Sequence, residues 1–165
     1  MLPRAPDGAG EPSGTATPDE PTPAAADLGS INDCDLLTQE EAAAAAGNPV
    51  LEAKLLGAVC SWEPEDVTVP SQLQVSIGLV PTSPSAYTAE QACETGREML
   101  SNPEPKDGFG DRSYREYTEG TFGNSGTLLV CLPNGTVHVA AIGGRPESEL
   151  WQVVTEMTAT ALGRL

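Results

Sequence analysis

GTLLVCLPNGTVHVAAI, Gly126–Ile142, joins two apolar runs through Pro133-Asn134-Gly135. An Asn-Gly dipeptide between two runs rich in β-branched residues is a strong hairpin signal, because such a turn needs backbone conformations that these residues tolerate. Gly126–Leu132 and Thr136–Ile142 are therefore expected to form an antiparallel pair.

Working outward, Gln72–Val80 alternates Leu73, Val75, Ile77 and Leu79 with Gln74, Ser76 and Gly78, which suits a strand with one covered face. Leu56–Glu63 and Asp111–Glu119 read as further strands. Three helices are marked by their ends. Thr38-Gln39-Glu40-Glu41 is a capping box before an alanine run closed by Gly47, and Pro49 lies just beyond. Thr88-Ala89-Glu90-Gln91 opens a second helix, with Ala89, Ala92, Cys93, Gly96, Met99 and Leu100 on one side. Pro146 starts the last, with an inward stripe of Leu150, Val153, Val154, Met157 and Ala161 and an end at Gly163. The order α-β-β-α-β-β-β-α predicts an α+β fold, a single antiparallel sheet of about five strands packed with three helices. Two helix-then-strands units, each opened by a capping box, hint at a duplication, although their cysteines do not occupy matching places.

Met1 to about Ser30 holds six prolines and almost no bulky apolar side chain. Too little surface is available there to offset the entropy of ordering, so residues 1–30 are expected to be a disordered Pro/Ala/acid-rich spacer before a single domain, 31–165. The 165-residue chain carries 24 acids against 8 bases, a net charge of −16. Such a surface repels phosphate backbones and anionic lipid, which argues against nucleic-acid binding and direct membrane docking. No apolar run approaches the roughly 20 residues of a membrane span. Met1 leads straight into Leu-Pro-Arg-Ala-Pro, so the expectation is either a cytosolic protein or an exported one whose leader has been removed.

The cysteines choose between these. Cys34, Cys60, Cys93 and Cys131 are widely spaced singles with no C-x-x-C, unlike structural zinc ligands. An even count at such spacing predicts two disulfides in an oxidising compartment. Of the three pairings, Cys34–Cys60 with Cys93–Cys131 is favoured, because each bond then ties a helix region to a later strand. Loops of this size are worth about 3.5 kcal/mol per bridge in the chain-entropy model.

The acidic spacer, C-D-L-L-T from Cys34 with its alanine-rich helix, Cys60-Ser61-Trp62, and Gly108-Phe109-Gly110-Asp111 before a strand together resemble a family of actinobacterial exported lipoproteins of uncharacterised function. They are more loosely similar to extracellular sensor domains of actinobacterial receptor kinases. The resemblance spans Ile31–Leu165. It implies a cell-surface location and a membrane anchor on a lipid-bearing cysteine upstream of the spacer, a cysteine this chain lacks. The chain as given is then soluble.

Candidate chemistry is sparse. Gly123-Asn124-Ser125-Gly126 lacks the G-x-S-x-G spacing and the following helix of a nucleophile elbow, so it reads as a turn. Gly108-Phe109-Gly110-Asp111 opens a strand rather than a helix, unlike a phosphate loop. His138, the sole histidine, alternates with Val137 and Val139, which predicts a solvated or edge position. Glu63-Pro64-Glu65-Asp66 lacks calcium-loop spacing, and Asn134-Gly135-Thr136 fits a glycosylation sequon that the hairpin already explains. No metal or cofactor is expected.

Trp62 and Trp151 are expected to cover a disulfide or seal helix against sheet, with the floor of a pocket as the functional reading. Arg112, Tyr114, Arg115 and Tyr117 are the one stretch mixing cations and aromatics. They fall on alternate strand faces, and with Trp62 and the loop Ser101–Gly110 they are the candidate recognition surface. These features predict an exported, envelope-associated binding module without catalytic activity, whose partner is an envelope protein, a lipid or a cell-wall fragment. The alternative is a cell-envelope hydrolase using two carboxylates about 5–10 Å apart. A third reading is a structural or regulatory partner with no small-molecule pocket.

Overall fold

A computed structural model describes residues 27–83, 85 and 88–165. Most of the expected spacer lies outside the described residues. Its last part does not behave as spacer: Leu28–Ser30 forms a 3-10 turn capped by Asp27, with Leu28 only 2% exposed. One bulky apolar side chain suffices to bring the fold's start forward from Ile31 to Leu28.

The elements are α1 (Gln39–Ala46), β1 (Lys54–Leu56), β2 (Val59–Trp62), β3 (Gln74–Pro81), α2 (Ala89–Glu98), β4 (Glu104–Pro105), β5 (Arg112–Thr118), β6 (Asn124–Leu132), β7 (Gly135–Gly143) and α3 (Glu147–Leu162). The fold is α+β with one antiparallel sheet in the order β1-β2-β3-β7-β6-β5-β4. Seven strands replace the expected five, and both additions are short edge strands. The run expected as one strand from Leu56 folds back at Gly57, whose φ of +69° lies in the region where a side chain is strained, so Lys54–Leu56 pairs with Val59–Ser61 as a hairpin. The second, Glu104–Pro105, pairs with Tyr114 and Arg115 inside the segment read as a loop.

Both capping boxes form. Thr38 accepts from the Glu41 N–H while the Glu41 carboxylate accepts from the Thr38 N–H, and Thr88 and Gln91 repeat the arrangement. The predicted Asn-Gly hairpin forms, with Leu132 opposite Gly135 and Leu128 opposite Val139.

Successive strand residues point to opposite faces. One face carries Val75, Ile77, Leu128, Val130, Val137 and Val139, which pack with α1, α3 and the Leu36-Leu37 pair into the main core. The other carries Leu129 and Cys131, which join Cys93 and Leu100 of the α2 region in a small second cluster. Helices α1 and α2 thus lie on opposite faces. A two-fold axis relating the halves would pass through the antiparallel β3–β7 seam perpendicular to the sheet, which would keep both helices on one face. The arrangement does not support the duplication. Met99, expected to face inward from the second helix, is 75% exposed: it stands at the C-cap, and the next residue, Leu100, takes the buried place beside Cys93.

The disulfides are Cys34–Cys60 and Cys93–Cys131, and all four cysteines are used. The first bond holds the turn before α1 to β2 on the main face. The second holds α2 to β6 on the other.

Candidate functional site

The sheet divides the predicted recognition stretch in two. Arg112 and Tyr114 lie opposite Cys131 and Leu129 and so share the α2 face, where Arg112 approaches Glu94 at 3.6 Å and Tyr114 packs on the second cluster. Arg115 and Tyr117 point to the α3 face, where Tyr117 packs against the main core. Partial desolvation, followed by the charges of Glu119 and Glu147, raises the Tyr117 phenol above its ordinary value.

Trp62 does not belong to this surface. It is 0% exposed and sits in the main core beside Cys60, as the structural reading of the residue had it, with no hydrogen-bond partner for its indole N–H among the described residues. Trp151 takes the functional place instead. Its ring is half-buried on α3, its Nε1–H donates to Glu147 Oε1 at 2.9 Å, and the Arg115 guanidinium lies 5.2 Å from the ring centroid. That separation is within the range of a cation–π contact.

Between β5 and α3 these groups enclose a cavity of about 120 Å³, lined by Lys106, Arg115, Leu128, Trp151 and Thr155. Lys106 belongs to the loop predicted as part of the surface, and its backbone is pinned to β5: its N–H donates to the Ser113 carbonyl at 2.9 Å, and the Ser113 hydroxyl donates to the Lys106 carbonyl. Arg115 pairs with the exposed Glu104 at 3.1 Å across the β4–β5 ladder. Leu128 and Thr155 are the lining residues that sequence did not single out. Both read there as ordinary core and helix positions, and only the packing of α3 on the sheet brings them to this spot.

Other hollows have a different character. The loop before β5 encloses about 470 Å³ lined in part by Lys106, Asp107, Asp111 and Arg112. A groove of about 580 Å³ beside α1 carries Glu40 and Glu65. Another of about 320 Å³ has Glu63 near an apolar rim that includes the fully exposed Phe122. A fourth of about 380 Å³ includes Asp33 and Leu55. The first two bring acids together, yet Glu40, Glu65, Asp107 and Asp111 are all exposed. A general acid that stays protonated at neutral pH needs a desolvated environment. Asp33 alone among the described acids has its pKa raised, by burial, and its carboxylate is engaged by the Leu79 N–H.

His138 is a correction. It does lie opposite Val137 and Val139, but that face is roofed at this point by α2. A Cβ on Gly96 would stand 3.2 Å from His138 Nε2, so the glycine lets the helix settle directly on the ring. Burial lowers the His138 pKa below its ordinary value. Gly108-Phe109-Gly110-Asp111 is a turn into β5, held by the Asp111 N–H on the Cys131 carbonyl at 3.1 Å. Among the described residues no group of three or more His, Cys, Asp or Glu side chains stands ready for a metal ion, and no helix is long and apolar enough to cross a membrane.

No protein-family model, no curated protein and no solved structure matches this chain.

Proposed function

We propose that the protein is an exported, envelope-associated binding module of the lipoprotein type, without catalytic activity, that meets its partner along the β4–β5 edge. The observation that carries this reading is the clustering of cationic and aromatic side chains at that edge on a body of net charge −16. Charge alone favours solubility and repels anions. Lys106 and Arg115 beside an indole therefore run against the character of the rest of the molecule. Export is supported by the two disulfides, which consume every cysteine and belong to oxidising compartments. The residues that resemble actinobacterial exported lipoproteins point to the same location. The partner is a cell-wall fragment, a lipid or another envelope protein.

A native mass spectrum of the unreduced protein, purified from an exporting host, tests this. Both bonds closed gives a mass four hydrogens below the reduced chain, and an added mass identifies the ligand class. Free thiols with retained zinc would reject the exported reading outright. Turnover of an envelope glycan that depends on a carboxylate pair would replace the binding module with the hydrolase.

A further inference from the structure

The cavity between β5 and α3 has a composition that specifies more than general stickiness. Among the described residues there are seven lysines and arginines, and six of them make ion pairs: Lys54, Arg97, Arg112, Arg115, Arg145 and Arg164. Lys106 is the one that does not. It borders this cavity as well as the loop hollow before β5, with its backbone bonded to Ser113 through both its N–H and its carbonyl.

Arg115 is already arranged to receive a carboxylate. Its Nε and Nη2 both meet one oxygen of Glu104, at 3.2 and 3.1 Å, and its Cζ lies over the Trp151 ring. Glu104 is exposed and lies outside the cavity lining, so an incoming carboxylate competes with a solvated neighbour rather than a buried one. Thr155 adds a hydroxyl. Thr158 and Thr160 on the same helix donate back to the Val154 and Glu156 carbonyls, whereas Thr155 makes no such bond. The remaining walls, Leu128 and the face of Trp151, offer no polar atom, because the indole N–H is committed to Glu147.

Among the described residues no acid lines this cavity, although the chain carries 24 acids and each of the other four hollows described above includes at least one. Its volume of about 120 Å³ is several times one water molecule's share of the liquid, room for a small head group and a few carbons. On a strongly anionic body a singly charged head is repelled less than a dianionic phosphate. We propose that this cavity captures a carboxylate on a short apolar stem, with Lys106, Arg115 and Thr155 holding the carboxylate and Leu128 and Trp151 the stem. This deepens the binding-module reading and rests on it.

The chain contains two tryptophans, which makes the test direct. In two-dimensional spectra of the ¹⁵N-labelled full chain, the Trp151 indole reports the cavity and the buried Trp62 indole reports the intact core. Butyrate and N-acetyl-alanylalanine are titrated, with butyramide as the uncharged control and inorganic phosphate as the alternative anion. The expected result is a saturable shift of the Trp151 signal with one or both acids, little with butyramide, and a still Trp62 signal. The tighter of the two acids tells a hydrocarbon stem from a peptide terminus. Arg115→Gln and Lys106→Gln each weaken binding about tenfold or more, the loss of a charge-assisted contact. Glu104→Gln strengthens it several-fold by freeing Arg115, an effect a purely structural Glu104 would not produce.

A Trp151 signal that ignores both acids at millimolar concentration overturns the proposal, and so does a response to phosphate equal to that of the acids. Neither result touches the binding-module reading, which stands or falls on the mass spectrum of the unreduced protein.

Discussion

One face of the sheet lies under two helices, α1 and α3, which share a continuous apolar core with Leu36 and Leu37 and are tied to each other by Arg164, bonded to the Leu36 carbonyl and the Glu41 carboxylate. The opposite face has a single ten-residue helix, α2, resting on a cluster of four buried residues, two of which are the cysteines of its own disulfide. Burial of apolar area contributes about 25 cal/mol per Å², so the first face is held by hydrophobic contact along its whole length. The second has too little of it. There the covalent bond substitutes for core, and the two disulfides, similar on paper, have different tasks. Cys34–Cys60 reinforces a layer that packs well without it, while Cys93–Cys131 keeps a layer attached.

The largest test of this contrast is to remove each bond in turn as a double serine variant. The loop-entropy model assigns about 4 kcal/mol to the 38-residue separation and about 3.5 kcal/mol to the 26-residue one, so the global losses are close. The patterns of amide exchange are expected to differ. Without Cys93–Cys131, the amides of α2 lose protection while those of α3 keep it; without Cys34–Cys60, protection falls together across the domain. Equal protection of α2 in both variants would remove the distinction between the faces.

A smaller effect sharpens it. Thr88→Ala deletes the N-cap acceptor of α2 and is expected to cost about 1 kcal/mol. Because α2 stands largely alone on its face, the loss is expected first as faster exchange within the helix, whereas Thr38→Ala on α1 lowers the denaturation midpoint of the domain as a whole.

The smallest effect is a pH dependence under α2. His138 has its folded pKa lowered by burial, so near and below the ordinary value of 6.5 the unfolded chain binds a proton that the folded one resists. The contribution of neutral His138 is complete above that value and is lost as pH falls through the folded pKa. Acidification also relieves repulsion among the carboxylates, so the quantity to measure is the difference between wild type and His138→Asn in urea midpoints at pH 7.5 and 5. Wild type is expected to lose ground to the variant at the lower pH; parallel midpoints would mean that α2 does not seal the ring.

Much of this architecture was legible in local chemistry. Asn134-Gly135 fixed the hairpin, Thr38 and Thr88 fixed two helix starts, and the alternation in Gln72–Val80 fixed the phase of a central strand. These signals depend on neighbours within a few residues. The edge strands were not legible, since Glu104–Pro105 is too short to show a period and Leu56–Glu63 contains only one glycine to mark its fold-back. Alternation placed His138 opposite the valines but cannot say whether a second face is covered. The two tryptophans show the same limit. Trp62 and Trp151 are equal as symbols, and only the packing of β2 into the core and of α3 along β5 makes one a core residue and the other a cavity wall. The candidate site was half visible, in Arg115 and the loop holding Lys106, because its other walls arrive from distant segments.

The topology also orders the chemistry of folding. The residues before α2 build α1, β1, β2 and β3 with the bond Cys34–Cys60, and the residues from α2 onward build the other strands and helices with Cys93–Cys131; within the sheet the halves meet only at the β3–β7 seam. The native partners are therefore first with second and third with fourth. A chain that emerges N-terminus first into an oxidant meets each correct pair before the next cysteine arrives, so simple arrival order yields the native connectivity without reshuffling.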